Sequence, residues 1–239
     1  VGDIYQVCKV FRAGEAGRLH NPEFTLIEWY RLGFDHHRLM QETAELIQSL
    51  IPAASEAPEH LTYRDVFQRH AGFDPFAADK QTCVHALRDA GRTVPAENAL
   101  DLDGWLDLVA GDMVYPALGR GRLTFIYDYP ANQAALARVR PGDPPVAERF
   151  EVFFNGMELA NGFHELADAK EQRRRFEADL AWRRAHGLPE VRMDENLLAA
   201  LTHGLPDCAG VALGFDRLVM LAADARSIED VIAFPFDRA

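Results

Sequence analysis

The sequence predicts an α+β fold in which an antiparallel sheet is flanked by helices. Two short runs, residues 5–11 and 24–31, alternate as strands do and are separated by a polar loop. Asn155-Gly156 lies between two apolar runs, which is typical of a tight hairpin. Apolar residues recur at helical spacing in residues 35–51. Strands and helices in this order predict one domain over residues 1–239.

The remaining elements follow from the same periodicities and from Gly, Pro and capping residues. Residues 52–60 are interpreted as a loop, and Asp194 as the cap of a helix that runs through residue 201. Further strands are predicted at residues 123–127, 146–154, 157–160 and 209–213, and further helices at 63–70, 80–90, 102–118, 164–186 and 215–223.

Composition indicates a globular protein without a membrane span. The chain has 239 residues, of which 48% are hydrophobic, and no apolar run approaches the ~20 residues that cross a bilayer. Its net charge of −12 disfavours nonspecific nucleic-acid binding. Cys8, Cys83 and Cys208 lie far apart and lack metal-ligand spacing, so a reduced, cytoplasmic setting is expected. Strand-like sequence begins almost at once, as if the chain started inside a domain.

Charged residues at strand spacing mark residues 10–31. On the second strand, Phe24, Glu28 and Tyr30 share one face, which suits a flat ring and an amine. Arg12 and His20 are placed where either could reach phosphates. The alternative interpretation is a solvated hairpin with scattered charges.

Two carboxylates are expected to lie close together on the predicted hairpin. If Asn155-Gly156 is a two-residue turn, Glu151 faces Ala160 and Phe153 faces Glu158, which places all four on one face. Because two such carboxylates repel, Mg²⁺ is the natural ion between Glu151 and Glu158. A wet face that merely tolerates the pair is the alternative.

A strand of small residues turns at Gly214 into a helix with Arg217 in its first turn, which is a candidate phosphate site. An ordinary strand-to-helix joint with a solvated arginine is the alternative. His36-His37 is interpreted as a surface pair, and the arginines of residues 173–184 as a solvated helix face.

Together these segments resemble the class II aminoacyl-tRNA synthetases in their lysyl form. FRAGEAGRLHNPEFTLIEWYR resembles motif 2, GVALGFDRLVML resembles motif 3, and RFEVFFNGMELANGFHEL resembles the lysyl-enzyme segment between them. The similarity is greatest to the lysyl-tRNA synthetase-like branch that modifies elongation factor P. It covers essentially the whole chain and implies a class II catalytic domain whose N-terminal part, with motif 1, is missing.

The resemblance implies a role for each matching residue. Arg12 and Arg217 would be catalytic and would hold the ATP phosphates, assisted by His20, and Phe24 would stack on adenine. Gly14 stands where the family usually has Glu, and Glu15 follows it at the ATP site. Glu151 and Glu158 would bind Mg²⁺. The amino-acid pocket would comprise Glu28, Tyr30, Ala160, Asn161, Phe163 and Glu165, with Ala160 replacing the usual Gly. By parity Asn161 faces away from Glu151, so this role requires a bend near Gly162.

The implied reaction forms an aminoacyl-adenylate from ATP and then transfers the acyl group to an amine or hydroxyl. The leading hypothesis is ligation of lysine or β-lysine to a lysine side chain of elongation factor P, by a homodimer. The alternatives are the catalytic domain of a lysyl-tRNA synthetase, which would charge tRNA, and a non-catalytic remnant that binds nucleotide.

Overall fold

A computed structural model describes residues 2–96 and 99–238. Its centre is an eight-stranded sheet whose long path has the order β1-β2-β8-β7-β6-β4-β3, with β5 paired to β6. The strands are β1 (Ile4–Phe11), β2 (Glu23–Leu32), β3 (Glu59–Thr62), β4 (Thr124–Pro130), β5 (Val139–Arg140), β6 (Val146–Phe154), β7 (Met157–His164) and β8 (Cys208–Gly214). All neighbours are antiparallel except β3 and β4.

Helices pack on both faces of this sheet. They are α1 (His36–Leu50), α2 (Tyr63–His70), α3 (Lys80–Asp89), α4 (Leu102–Val109), α5 (Ala169–Ala185), α6 (Glu195–His203) and α7 (Phe215–Ala222). α1 to α6 each follow an Asp or Thr whose side chain accepts a hydrogen bond from a backbone N–H of the first turn. None of the helices in the described ranges is long and apolar enough to cross a bilayer.

The sheet separates two hydrophobic cores, one on each of its faces. On one face α1 buries Leu39 and Met40 against Trp29 of β2 and Val152 of β6. On the other, α2 to α4 cover β3, β4 and β6, where Trp105 is fully buried. The β1-β2-β8-β7 half of this second face is not covered by α2 to α4, and the candidate site lies there.

Most predicted elements are confirmed, with three corrections. The predicted loop at 52–60 ends in β3, which pairs in parallel with β4. The predicted helix at 102–118 leaves the α-helical pattern after Val109 and continues as a π turn over Ala110–Val114. The helix predicted from residue 164 begins at Ala169, because His164 still pairs with Ala209 as the last residue of β7.

The register of the β6–β7 hairpin also differs from the prediction. Asn155 and Gly156 form the turn with φ of 49° and 74°, and Phe153 faces Glu158 as expected. The register then shifts by one residue, so Glu151 pairs with Asn161 and Ala160 pairs with Val152. Placing Ala160 on the face of Glu151 was therefore wrong, because a β-bulge at Leu159 inserts an extra residue into β7.

Candidate active site

A cavity of about 360 Å³ opens on the uncovered half of the sheet. Its walls come from the loop after β1, from β2, β7 and β8, and from the start of α7. The sequence-predicted site residues that line it are Arg12, Glu15, His20, Phe24, Glu158, Ala160, Asn161, Phe163 and Arg217. Residues more than 200 positions apart in the sequence thus meet in one cavity.

Arg217 is held rigidly at one end of this cavity. Its Nη1 donates to the backbone carbonyl of Glu158 at 2.6 Å, and its Nε lies 3.4 Å from the carbonyl oxygen of Leu19. Its Nη2 lies 2.9 Å from Nε2 of His20. Only 17% of the Arg217 side chain is exposed. A guanidinium fixed by backbone acceptors is preorganised to receive an anion.

His20 complements Arg217 as a neutral group. Partial burial and the nearby Arg217 charge lower the pKa of His20 below its ordinary value. A neutral imidazole can accept from Nη2 of Arg217 through Nε2, which leaves Nδ1–H as a donor.

Arg12 is the more exposed cation of the cavity. Its side chain is 60% exposed, and its guanidinium carbon lies 5.5 Å from the centroid of the Phe24 ring. Nη1 of Arg12 lies 3.3 Å from Oε2 of Glu15, so the Glu15 carboxylate lies at the same side of the cavity as Arg12. Gly14 has φ of +80°, a conformation that glycine adopts without strain. An aromatic face with a cation above it can receive a base and its phosphates.

The two predicted metal ligands differ in their surroundings. Glu151 is 6% exposed and pairs with Arg149, which also approaches Asn161 and stacks on Tyr129. Arg149 thus already neutralises Glu151. No role for Arg149 was predicted from the sequence, although its spacing of two residues from Glu151 on one strand places both side chains on one face.

Glu158 is the more available carboxylate, because 41% of its side chain is exposed to the cavity. Partial burial and the negative charge of Glu151 raise the pKa of Glu158 above its ordinary value, although Arg217 and Arg149 act in the opposite direction. A bound cation would favour the charged form of Glu158.

The three residues predicted to recognise the amine do not line the cavity of Arg12 and Arg217, and Glu28 lines neither that cavity nor the next pocket. Tyr30 and Glu165 line a second, more apolar pocket of about 400 Å³ with Leu166, Leu201 and Cys208. Burial raises the pKa of Glu165 to about 7 and that of Tyr30 to about 12. A half-charged carboxylate beside a protonated phenol suits the capture of an ammonium group.

Small residues of β8 form the floor that joins the two pockets. Gly210 pairs with Tyr30 and Phe163, and Ala212 pairs with Glu28 and Asn161. A Cβ atom on Gly210 would lie 2.5 Å from the Tyr30 ring and 2.6 Å from Oε1 of Glu165, so the residue must be glycine to keep those side chains in place.

Glu28 lies on the cavity side of β2, opposite Trp29, which packs in the α1 core. Oε2 of Glu28 accepts from Nε2 of Gln6 at 3.0 Å. Two further residues were not predicted from the sequence. Ala212 lies between Glu28 and Asn161 only because β8 pairs with both β2 and β7. Asp216 accepts from the backbone N–H of Thr25 at 2.6 Å and fixes α7 to β2.

Asn161 does reach the cavity face, but for a different reason from the one expected. The bulge at Leu159 lies before Asn161 and no bend at Gly162 is required, since Gly162 pairs regularly with Phe150 and Val211. Ala160 packs in the α1-side core as well as forming part of the cavity wall.

The site therefore has a cationic end at Arg12 and Arg217, and an acidic end at Glu28 and Glu165. A ligand that carries phosphates at one end and an amine at the other would match this polarity. Such a site can stabilise charge at a phosphorus atom by positioning alone, without a covalent nucleophile.

Comparison with known proteins gives one consistent result. The family model for class II tRNA synthetases (D, K and N) matches residues 1–238. The chain is 50% identical over 238 residues to an elongation factor P–(R)-β-lysine ligase of Salmonella dublin, and 51% identical to one of Klebsiella pneumoniae. Each alignment covers the whole of this chain and 73% of the relative.

Proposed function

The chain belongs to the class II tRNA synthetase family, and we propose that it activates (R)-β-lysine or lysine with ATP and ligates it to a lysine side chain of elongation factor P. The observation that carries this proposal is the polarity of the site, with rigid Arg217 at one end and Glu165 beside Tyr30 at the other. The relatives that match the whole chain bear the name of this reaction.

In the proposed first step, the amino-acid carboxylate attacks the α-phosphorus of ATP and pyrophosphate leaves. Arg12 binds the α-phosphate, and Arg217 with neutral His20 binds the leaving phosphates. Phe24 stacks on adenine, and Glu15 contacts the nucleotide through its position beside Arg12. Arg217 is the better anchored of the two cations, so we assign it the larger share of transition-state stabilisation.

In the proposed amino-acid site, Glu28, Tyr30 and Glu165 receive the substrate amines, and Asn161, Phe163 and Ala160 shape the space between the amines and the nucleotide. Binding of an ammonium group next to Glu165 favours its carboxylate form, so a proton is released there when the substrate binds near neutral pH.

Mg²⁺ is part of this proposal, with Glu158 as its principal protein ligand and Glu151 as the second. Oxygen donors of this kind suit Mg²⁺, which usually shares its coordination with substrate phosphates. Because Arg149 already neutralises Glu151, we expect Glu158→Gln to weaken Mg²⁺-dependent ATP binding more than Glu151→Gln does.

The proposal also includes a cytosolic homodimer. Cys8, Cys83 and Cys208 are free thiols, as expected for a reducing compartment.

The edge strand β1 exposes apolar side chains, among them Tyr5 at 80% and Phe11 at 75%, that a second copy could cover. Sedimentation equilibrium tests the dimer.

The decisive experiment measures the mass of elongation factor P after incubation with the protein, ATP and (R)-β-lysine. A mass gain of one β-lysyl group supports the proposal, and pyrophosphate exchange without any mass gain would refute the assigned acceptor. A parallel reaction with tRNA in place of the factor tests the alternative of a lysyl-tRNA synthetase. Absence of both exchange and transfer would leave only a non-catalytic nucleotide-binding protein.

A further inference from the structure

We propose that His36, Glu148 and His164 bind a divalent transition-metal cation of the zinc class, with Asp128 as the fourth ligand. One ligand atom from each of the first three residues lies within 4.8 Å of the others. Glu148 and His164 alternate with Arg149 and Phe163 along β6 and β7, so they lie on the sheet face opposite the ATP cavity.

His36 provides the strongest observation, because it is a buried polar side chain without a partner. Only 2% of its surface is exposed, and neither ring nitrogen has a hydrogen bond to any residue in the described ranges. Oδ1 of Asp128, likewise without a hydrogen bond, lies 3.8 Å from Nε2 of His36. Burial of an imidazole and a carboxylate oxygen without partners is costly, and a shared cation would satisfy both.

The carboxylates are oriented as metal ligands would be. Arg140 donates to Oδ2 of Asp128 at 2.6 Å and lies 3.7 Å from Oε1 of Glu148. The second oxygen of each carboxylate, Oδ1 of Asp128 and Oε2 of Glu148, is buried and has no hydrogen bond of acceptable geometry within the described ranges. Arg140 thus fixes the outer oxygens, as residues around metal sites commonly do. The inner oxygens face the two imidazoles, and Nε of Arg138 lies 3.7 Å from the inner oxygen of Glu148.

His164 has carboxylates at both ring nitrogens. Its Nδ1 is 2.7 Å from Oε2 of Glu148, and its Nε2 is 2.9 Å from Oδ1 of Asp207 and 3.0 Å from Nη1 of Arg138. A neutral ring can donate from Nδ1 to Glu148 and accept at Nε2 from Arg138. A metal ion at Nδ1 would instead leave Nε2–H to donate to Asp207, which is the usual carboxylate–histidine–metal arrangement.

The residue types favour zinc over magnesium, because two imidazoles with two carboxylates suit a transition metal. Zinc bonds of about 2.0–2.1 Å place tetrahedral ligand atoms ~3.3 Å apart. Small side-chain rotations must therefore separate Glu148 from His164, which are 2.7 Å apart, and bring the more distant ligand atoms together. Asp128, Glu148 and Asp207 supply three negative charges at the cluster, and Arg138 and Arg140 offset two of them.

The role of such a metal would be structural. His36 is the first residue of α1, whereas Asp128, Glu148 and His164 belong to β4, β6 and β7. The ion would therefore fasten the start of α1 to three strands of the sheet, away from the proposed chemistry. It would raise the thermal stability of the protein without entering the reaction.

The test is zinc binding by metal-stripped protein, measured by equilibrium dialysis with elemental analysis. We expect one tightly bound Zn²⁺ per chain and an increase in melting temperature of about 5–10 °C at 100-fold excess over the dissociation constant. His36→Leu and Glu148→Gln should each lose the bound zinc and the temperature increase. His85→Gln, which changes an exposed histidine outside the cluster, should retain both.

Cobalt gives a second readout that does not depend on stability. Four-coordinate Co²⁺ in the site should give visible absorption bands that Glu148→Gln abolishes. A thiolate-to-cobalt charge-transfer band would place the ion at a cysteine and overturn the proposal. Failure of the unaltered protein to bind zinc would overturn it too, as would zinc binding by His36→Leu and Glu148→Gln equal to that of the unaltered protein.

Discussion

Asn161 lies directly opposite Glu151 across the β6–β7 hairpin, because β7 contains one more residue than a regular ladder allows. That single bulge places an amide beside the Arg149–Glu151 pair and turns Ala160 toward the α1 core. The cavity wall therefore includes a strand, β7, whose side-chain order cannot be obtained by simple alternation.

Arg217→Ala is expected to lower ATP–pyrophosphate exchange by about 10²- to 10³-fold, the usual loss when a preorganised donor to a developing charge is removed. Folding should survive, with a loss of about 1–2 kcal/mol from its hydrogen bonds to Glu158 and Leu19. Arg18→Ala is the matched control, because Arg18 lies beside Leu19 and His20 in the loop after β1 but donates to the carbonyl of Arg226 and does not line the cavity. Equal activity in the two variants would contradict the phosphate assignment.

Glu28→Gln is expected to raise KM for the amino acid at least tenfold and to leave ATP affinity within about twofold, since a neutral amide no longer attracts an ammonium group. The amide oxygen can still accept from Gln6, so the fold is preserved. Glu23→Gln is the control on the opposite face of β2, where Glu23 pairs with Lys9. A parallel loss of ATP binding would show that Glu28 does not act on the amine.

Ala212→Val is expected to reduce exchange activity with lysine and with β-lysine by at least tenfold, because two added methyl groups fill the floor between Glu28 and Asn161. ATP affinity, measured by fluorescence titration, should change little. The exchange activity of Ala212→Ser, which adds one oxygen atom, should lie between that of Ala212→Val and that of the unaltered protein. An unchanged KM for both amino acids would place the substrate elsewhere.

Glu165→Gln is expected to stabilise the protein at pH 8 by about 1–2 kcal/mol, once its partial exposure is allowed for. Burial raises the pKa of Glu165 from 4.5 to about 7, so the folded protein keeps a proton that the unfolded chain has released. Stability of the unaltered protein should therefore fall as pH rises from about 4.5 to about 7.

Urea unfolding at pH 8 and pH 5 measures this effect. The advantage of Glu165→Gln should be smaller at pH 5, where both states hold more protons on residue 165. Glu190→Gln serves as the control, because the Glu190 side chain is 81% exposed. An advantage that does not depend on pH would mean that burial does not disfavour the Glu165 charge. The variant should at the same time use its amino acid poorly.

The sequence was most informative where local rules decide the structure. Alternation along β2 correctly placed Phe24 and Glu28 away from the core that contains Trp29, because a strand must turn successive side chains to opposite faces. The Asn155-Gly156 turn and the Asp194 cap were likewise predictable, since both depend on the conformations of a few neighbouring residues. The resemblance to the family motifs supplied one further expectation, that Arg12 and Arg217 bind the phosphates of ATP.

Other features depended on contacts between distant segments. His36 was expected at the surface, yet it is buried because α1 packs its first turn against β4 and β6. Asn161 entered the site through a bulge, and Ala212 through the pairing of β8 between β2 and β7. The sequence by itself determined the family, the two faces of β2 and the turn between β6 and β7. Only the tertiary structure decided the strand register and the burial of individual side chains. Both depend on which distant segments pack or pair together, and not on the neighbouring residues in the sequence.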